Sequence, residues 1–307
     1  MAFDLYLAGG QSKEVEKVLK ENKCCRLFSQ LNDRRHIIKM CNELEAEGKD
    51  QKLFVDSGAF SAWSRGVELD VDEYIEFLNN YSKCIDLFAC IDNIPGERTR
   101  KPTIEEKMQS PQLTWENYLY MRERINEKDK LVPTFHVGED ISHLQNILNT
   151  KLDGKHIPYI ALGGTVGLAV GYKQKWYSKT FKIIKESKNP NVKVHAFGMT
   201  SLKVLESYPF TSADSTSWIM TGANGGIYTD NGIVKVSEKS MDNPAYIGKL
   251  SIERQKLIER QLIEAGVTLE QCREDGNARA IANAMFLKKW ADNYKFKGNN
   301  RYQKTLF

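Results

Sequence analysis

Residues 53–63 read LFVDSGAFSAW. Three apolar residues, Leu53 to Val55, stop abruptly at Asp56-Ser57-Gly58, the pattern of a buried strand that ends and hands a carboxylate to a loop. Residues 211–218, TSADSTSW, deliver Asp214 in the same way. Two acids far apart in the chain are therefore expected to meet at one site.

Outward from Leu53, strand-length apolar runs recur at intervals filled by helical spacing. They are Phe3–Ala8, Arg26–Gln30 (the weakest), Leu53–Val55, Leu87–Asp92, Val132–Val137, Pro158–Leu162, Val192–Phe197 and Thr211–Asp214. Most end in Gly, Asp or Asn. Eight strands alternating with helices predict an α/β chain, a (β/α)8 TIM-type barrel over residues 1–242 with a C-terminal helical extension over 243–307. Asp70-Val-Asp-Glu73 and Thr268-Leu-Glu-Gln271 have capping-box spacing and open helices. The polar stretch up to Ser110 reads as a long active-site loop before a helix opened at Thr114, and Gly222–Gly226 reads as a flexible wall or a hairpin.

The 307 residues are enough to bury a large core. No run of about 18 apolar residues occurs, and the N-terminus lacks a basic start and cleavage pattern, so a soluble, cytoplasmic protein that engages no membrane is expected. Six cysteines include no CxxC pair, which suits reduced thiols. The net charge of +4 is concentrated at the end: residues 285–307 hold six Lys/Arg and one Asp. Attraction to nucleic acid is expected to be local to that tail, chiefly its last ten residues.

In a barrel of parallel strands the C-terminal strand ends face one side and carry the chemistry. Asp56, Asp92, His136, Gly163-Gly164, His195 and Asp214 each fall at or near such an end. One carboxylate there could simply cap the next helix; three from three strands favour a site. Two carboxylates flanking a sugar suit glycosidic-bond chemistry, one at the anomeric carbon and one moving protons. A third could accept from the N–H edge of a guanine-like base, and Gly163-Gly164 would let backbone approach the ring. No HxH, HExxH or cysteine cluster announces a metal, and no metal or other cofactor is expected.

On these residues the sequence resembles the tRNA-guanine transglycosylase family, and more closely its DNA-directed branch, the 7-deazaguanine DNA transglycosylases of phage and bacterial DNA-modification clusters. The resemblance lies in DSGAF, ID, ALGG and ADSTSW, in family order from Leu53 to Trp218. It implies that Asp214 is the nucleophile and Asp56 the general acid/base. By the same resemblance Ser57 and Phe60 contact the base, Asp92 recognises its edge, Gly163 and Gly164 supply backbone donors, and Phe197 and Gly198 form the pocket floor. His136 lies near a glutamine position of the family, in an HVGE context that departs from its motif; His195 is taken as a further substrate-binding residue. Phe60, Trp63 and Trp218 would serve as aromatic walls for an extruded base.

Cys272 is the only cysteine after Asp214, so the structural zinc of the tRNA enzymes is not expected, and Ser-Thr-Ser-Trp218 replaces their basic residues. Both departures favour DNA over tRNA. The implied partners are DNA, or tRNA in the runner-up, and a free base such as 7-cyano-7-deazaguanine. A non-catalytic nucleic-acid-binding barrel and a glycosidase acting on sugars or nucleosides are the alternatives from other classes.

Overall fold

The computed structural model describes residues 3–48, 50–97, 99–199 and 201–298. The described residues divide into two compact units, one built on Arg26–Asp214 with Lys295–Gly298, the other on Phe3–Cys25 with Ser215–Tyr294. The sequence boundary at 242/243 separates kinds of element; these units separate packing.

The strands are β1 (Asp4–Ala8), β2 (Arg26–Ser29), β3 (Leu53–Asp56), β4 (Leu87–Ala89), β5 (Leu131–Val132), β6 (Thr134–His136), β7 (Lys151–Leu152), β8 (Lys155–His156), β9 (Tyr159–Gly163), β10 (Lys193–Ala196), β11 (Ser212–Ser215), β12 (Gly226–Thr229) and β13 (Gly232–Lys235). In the first unit β2, β3, β4 and β5 pair in parallel, as do β6, β9, β10 and β11. Only Pro133 separates β5 from β6. It has no N–H to give, but its carbonyl accepts from Ala161 (2.9 Å), so the ladder passes from β4 to β9 across one interrupted strand. The result is a parallel, barrel-like α/β sheet with neighbours in chain order, and the strand expected at Arg26 is present.

Side-chain alternation sorts this sheet. Phe54 and Asp56 share one face of β3, His195 stands on β10, and Ser212 and Asp214 share one face of β11. Helices pack the other face: Val71–Tyr81 is capped by Asp70, whose carboxylate accepts from the N–H groups of Asp72 and Glu73 (2.9 and 3.0 Å). Buried Tyr74 of that helix donates to Ala89 O (3.0 Å), tying it to the end of β4, and burial pushes its hydroxyl well above the usual pKa.

Two elements differ from expectation. The helix after β4 starts at Ile104, not Thr114. A reciprocal capping box starts it: Thr103 Oγ1 accepts from Glu106 N (3.2 Å) while Glu106 Oε2 accepts from Thr103 N (2.8 Å), and Arg100 clamps Glu106. Thr114 lies buried within that helix, and its Oγ1 accepts from Asn93 N (2.9 Å) to hold the loop after β4. The second is the small antiparallel hairpin β7–β8, turned through Asp153 at φ 53°.

In the second unit, the helix Gly276–Asp292 buries every residue from Ala278 to Ala284, alternate ones alanine, and the helix Ser217–Ala223 comes so close that a Cβ on Gly222 would meet Ala280 N at 3.1 Å. Asn283 stitches the two: its Nδ2 donates to Trp218 O (2.9 Å) and its Oδ1 accepts from Tyr228 N (2.7 Å). Trp218, expected as a pocket wall, is fully buried here, with Nε1 donating to Ala8 O (3.1 Å) and its ring against Gly10. Of the glycine-rich segment, Gly222 and Ala223 end the helix Ser217–Ala223 and Gly226 opens the antiparallel β12–β13 hairpin, which lies mostly beyond it. No helix among the described residues is long and apolar enough to cross a membrane.

Gly58 couples fold to site. Its φ of 83° is left-handed, and an added Cβ would meet Ser29 Oγ and Leu31 Cβ at 2.6 and 2.7 Å. Gly58→Ala is expected to destabilise the protein by about 2–4 kcal/mol, the sum of backbone strain and overpacking. Urea unfolding measures this; an unchanged midpoint would contradict it.

Candidate active site

The strand ends of the first unit bring the predicted acids into mutual range. Asp56 ends β3, and its Oδ2 accepts from Gly58 N (3.0 Å) in a tight Asx turn. Enclosure by protein is the main force raising its pKa; the Gly58 N–H pulls the other way, and the charges of Asp92 and Asp214 raise it further, to about 7. A carboxyl so placed can hold or release a proton near neutrality.

Asp214 stands on β11, nearly buried at 8% exposure. Its Oδ1 accepts from Gly198 N (2.8 Å) and from His195 Nε2 (3.2 Å). Among the described residues no hydrogen bond reaches Oδ2. The left-handed φ of Gly198, 60°, turns the backbone N–H toward the acid. One oxygen is thus anchored and the other is left for chemistry.

Asp92 follows β4, where Asn117 holds Ile91 O (3.1 Å) and Thr114 holds Asn93. Its Oδ2 lies 3.3 Å from His136 Nε2 in an ion pair, and its Oδ1 is shielded from solvent with no hydrogen-bond partner. His136 Nδ1 in turn donates to Glu139 Oε1 (3.0 Å), whose second oxygen accepts from His136 N (3.0 Å). Burial alone would lower the imidazole pKa, but Asp92 and Glu139 outweigh it and carry it to about 10. His136 is therefore a fixed cation between two carboxylates. Gly163 makes room for it: a Cβ there would strike His136 Cδ2 at 2.8 Å.

The remaining predicted residues fall into two groups. His195 lies fully buried, its ring edge-on to Phe54 and Phe197 at 4.7 and 4.6 Å, so it supports Asp214 from below. Ser57 is buried at the turn, and Gly164 adopts φ 73° beside Val137. Phe60 is 69% exposed, with its ring 5.9 Å from Trp63. Trp63 Nε1 donates to Gly96 O (2.8 Å), pinning the loop after β4. Glu139, Ser212 and Tyr159, which touch these groups, were not among the expected site residues. Glu139 lies three residues after His136 in HVGE, and Ser212 two before Asp214 on one strand face; these spacings are the only signals that point to them.

Among the described residues no group of three or more His, Cys, Asp or Glu side chains is arranged to hold a metal ion. In comparisons with known proteins, no family model and no curated protein matches the chain.

The raised Asp56 pKa has a consequence for stability. From the unfolded value of 3.8 up to about 7, the unfolded chain gives up this proton and the folded protein keeps it, so stability falls with rising pH across that window. Asp56→Asn removes the penalty. Relative to wild type, the variant is expected to gain up to about 4 kcal/mol more at pH 8 than at pH 4 in urea unfolding. An equal difference at both pH values would contradict the shift.

Proposed function

We propose that the protein is a (β/α)8-barrel transglycosylase, with a C-terminal helical extension, that exchanges guanine in DNA for a 7-substituted 7-deazaguanine through a covalent Asp214–sugar intermediate. The observation that carries this is the division of labour between two acids in range of each other: Asp214 anchored through one oxygen, and Asp56 poised near pH 7 to carry a proton.

In this mechanism a guanine leaves the base stack and enters the mouth, with the exposed Phe60 ring available to stack on it. Asp214 Oδ2 attacks C1′, the C1′–N9 bond breaks, and its electron pair goes to the base, which takes up a proton from Asp56. Guanine departs. A 7-deazaguanine then enters, Asp56 takes its ring N–H proton, and the nitrogen attacks C1′ and displaces Asp214. Two displacements on one carbon retain the sugar's configuration. No oxidant, reductant or nucleoside triphosphate is required.

Asp92 supports base recognition, since an unpartnered buried acceptor is costly and is relieved by an N–H donor. His136 and Glu139 fix its position. DNA is favoured over tRNA by the Ser-Thr-Ser-Trp218 sequence after the nucleophile.

Incubating the protein with duplex or single-stranded DNA and 7-cyano-7-deazaguanine, then digesting the DNA for mass analysis of nucleosides, tests the assignment. The expected result is the modified deoxynucleoside and an equal amount of released guanine; Asp214→Ala yields neither while binding DNA within a few-fold of wild type. Exchange in tRNA but not in DNA would overturn the DNA assignment, and wild-type exchange by Asp214→Ala would remove it as nucleophile.

A further inference from the structure

Beneath Asp214 a line of polar groups continues into the apolar interior. His195 Nε2 lies 3.2 Å from Asp214 Oδ1, His195 Nδ1 2.7 Å from Ser212 Oγ, and Ser212 Oγ 2.7 Å from Tyr159 Oη. His195 and Ser212 have no exposure, so neither a substrate nor bulk water reaches these two, and Tyr159 is buried with 7% exposure. Three strands build the line. His195 on β10 is the register partner of Ser212 on β11 and of Ala161 on β9, and Tyr159, two residues before Ala161, shares that residue's face.

A chain of buried hydrogen bonds is kept only where its members satisfy one another. We propose that Tyr159, Ser212 and His195 form a positioning relay that fixes Asp214 for attack, with His195 Nε2–H held on Oδ1 so that Oδ2 remains the reacting oxygen. The proposal deepens the assignment of Asp214 as nucleophile and rests on it. A carboxylate oxygen only accepts, so the ring nitrogen facing it must carry the proton. The Ser212 hydroxyl can donate or accept, and it anchors Nδ1 while the Tyr159 hydroxyl anchors Ser212. Phe54 and Phe197, edge-on to the imidazole, leave the ring little freedom to swing. The same logic, a third group orienting the imidazole that serves a reacting side chain, governs catalytic triads. Here the imidazole orients the nucleophile and takes no proton from it.

Two measurements on the full chain test this. With 15N-labelled histidine, and His195 assigned by its absence in His195→Phe, wild type is expected to show a protonated Nε2 in slow exchange with water; a bare Nε2 overturns the relay. In the exchange assay, Ser212→Ala is expected to lower kcat at least tenfold with KM for the free base unchanged, and Tyr159→Phe to lower it less. Tyr159→Phe keeps the ring's packing and provides the kinetic test should Ser212→Ala fail to fold. An unaltered kcat in the folded variants, or a loss confined to KM, overturns the proposal. A protonated Nε2 that Ser212→Ala abolishes, in a protein that exchanges no base, upholds the relay and removes only the transglycosylase assignment.

Discussion

Burial of carboxylates close to one another is the constraint on which the rest of the site turns: enclosure by protein acts most strongly on Asp56, and the neighbouring acids add to it. Parallel strands deliver their C-terminal ends to one side, and β3, β4 and β11 each deliver an acid there, so Asp56 feels the charges of both Asp92 and Asp214. The protein accommodates them differently. Asp92 is paired with the His136 cation, which Glu139 holds from its other side. Asp214 is braced by a backbone N–H and an imidazole. Asp56, enclosed by protein and with both neighbouring acids adding to the effect, keeps its proton to about pH 7 even though the backbone N–H groups of Gly58 and Ser57 pull the other way. Acids brought together in unlike surroundings become unequal, and inequality is what acid/base and nucleophilic roles require.

How much of this was legible depended on whether the signal was local. Asp56 and Asp214 could be found because an apolar run ending in Asp and followed by small residues marks a strand end. The helix start at Thr103 was also written locally, in the Thr103–Glu106 pair, but the polar stretch around it and Pro111 within the helix masked it. Trp218 read as a pocket wall because it follows Asp214 closely in sequence; its place in the second unit is set by Gly10 and Ala8, more than two hundred residues earlier. Glu139, Ser212 and Tyr159 acquire their roles only through register across strands and turns, which alternation hints at and pairing decides.

The basic C-terminal segment shows the same limit. Lys288 pairs with Asp292, Lys289 with Glu264 (2.8 Å) and Lys297 with Glu206 (2.8 Å), so the positive charge on the helix Gly276–Asp292 and just beyond is largely matched within the protein. Surface pairs of this kind contribute little to stability, but they reduce the local field that would draw in a polyanion. The contact with DNA expected of the last ten residues falls almost wholly on residues 299–307, outside the described residues.

Convergence of the acids is most directly tested by titrating the Asp56 side-chain carbonyl with 13C NMR in wild type and in Asp92→Asn and Asp214→Asn. Three carboxyls at one mouth predict a midpoint near 7 in wild type that moves down in each variant as a neighbouring charge is removed. A midpoint near 4, indifferent to both substitutions, would mean that the acids do not share a site.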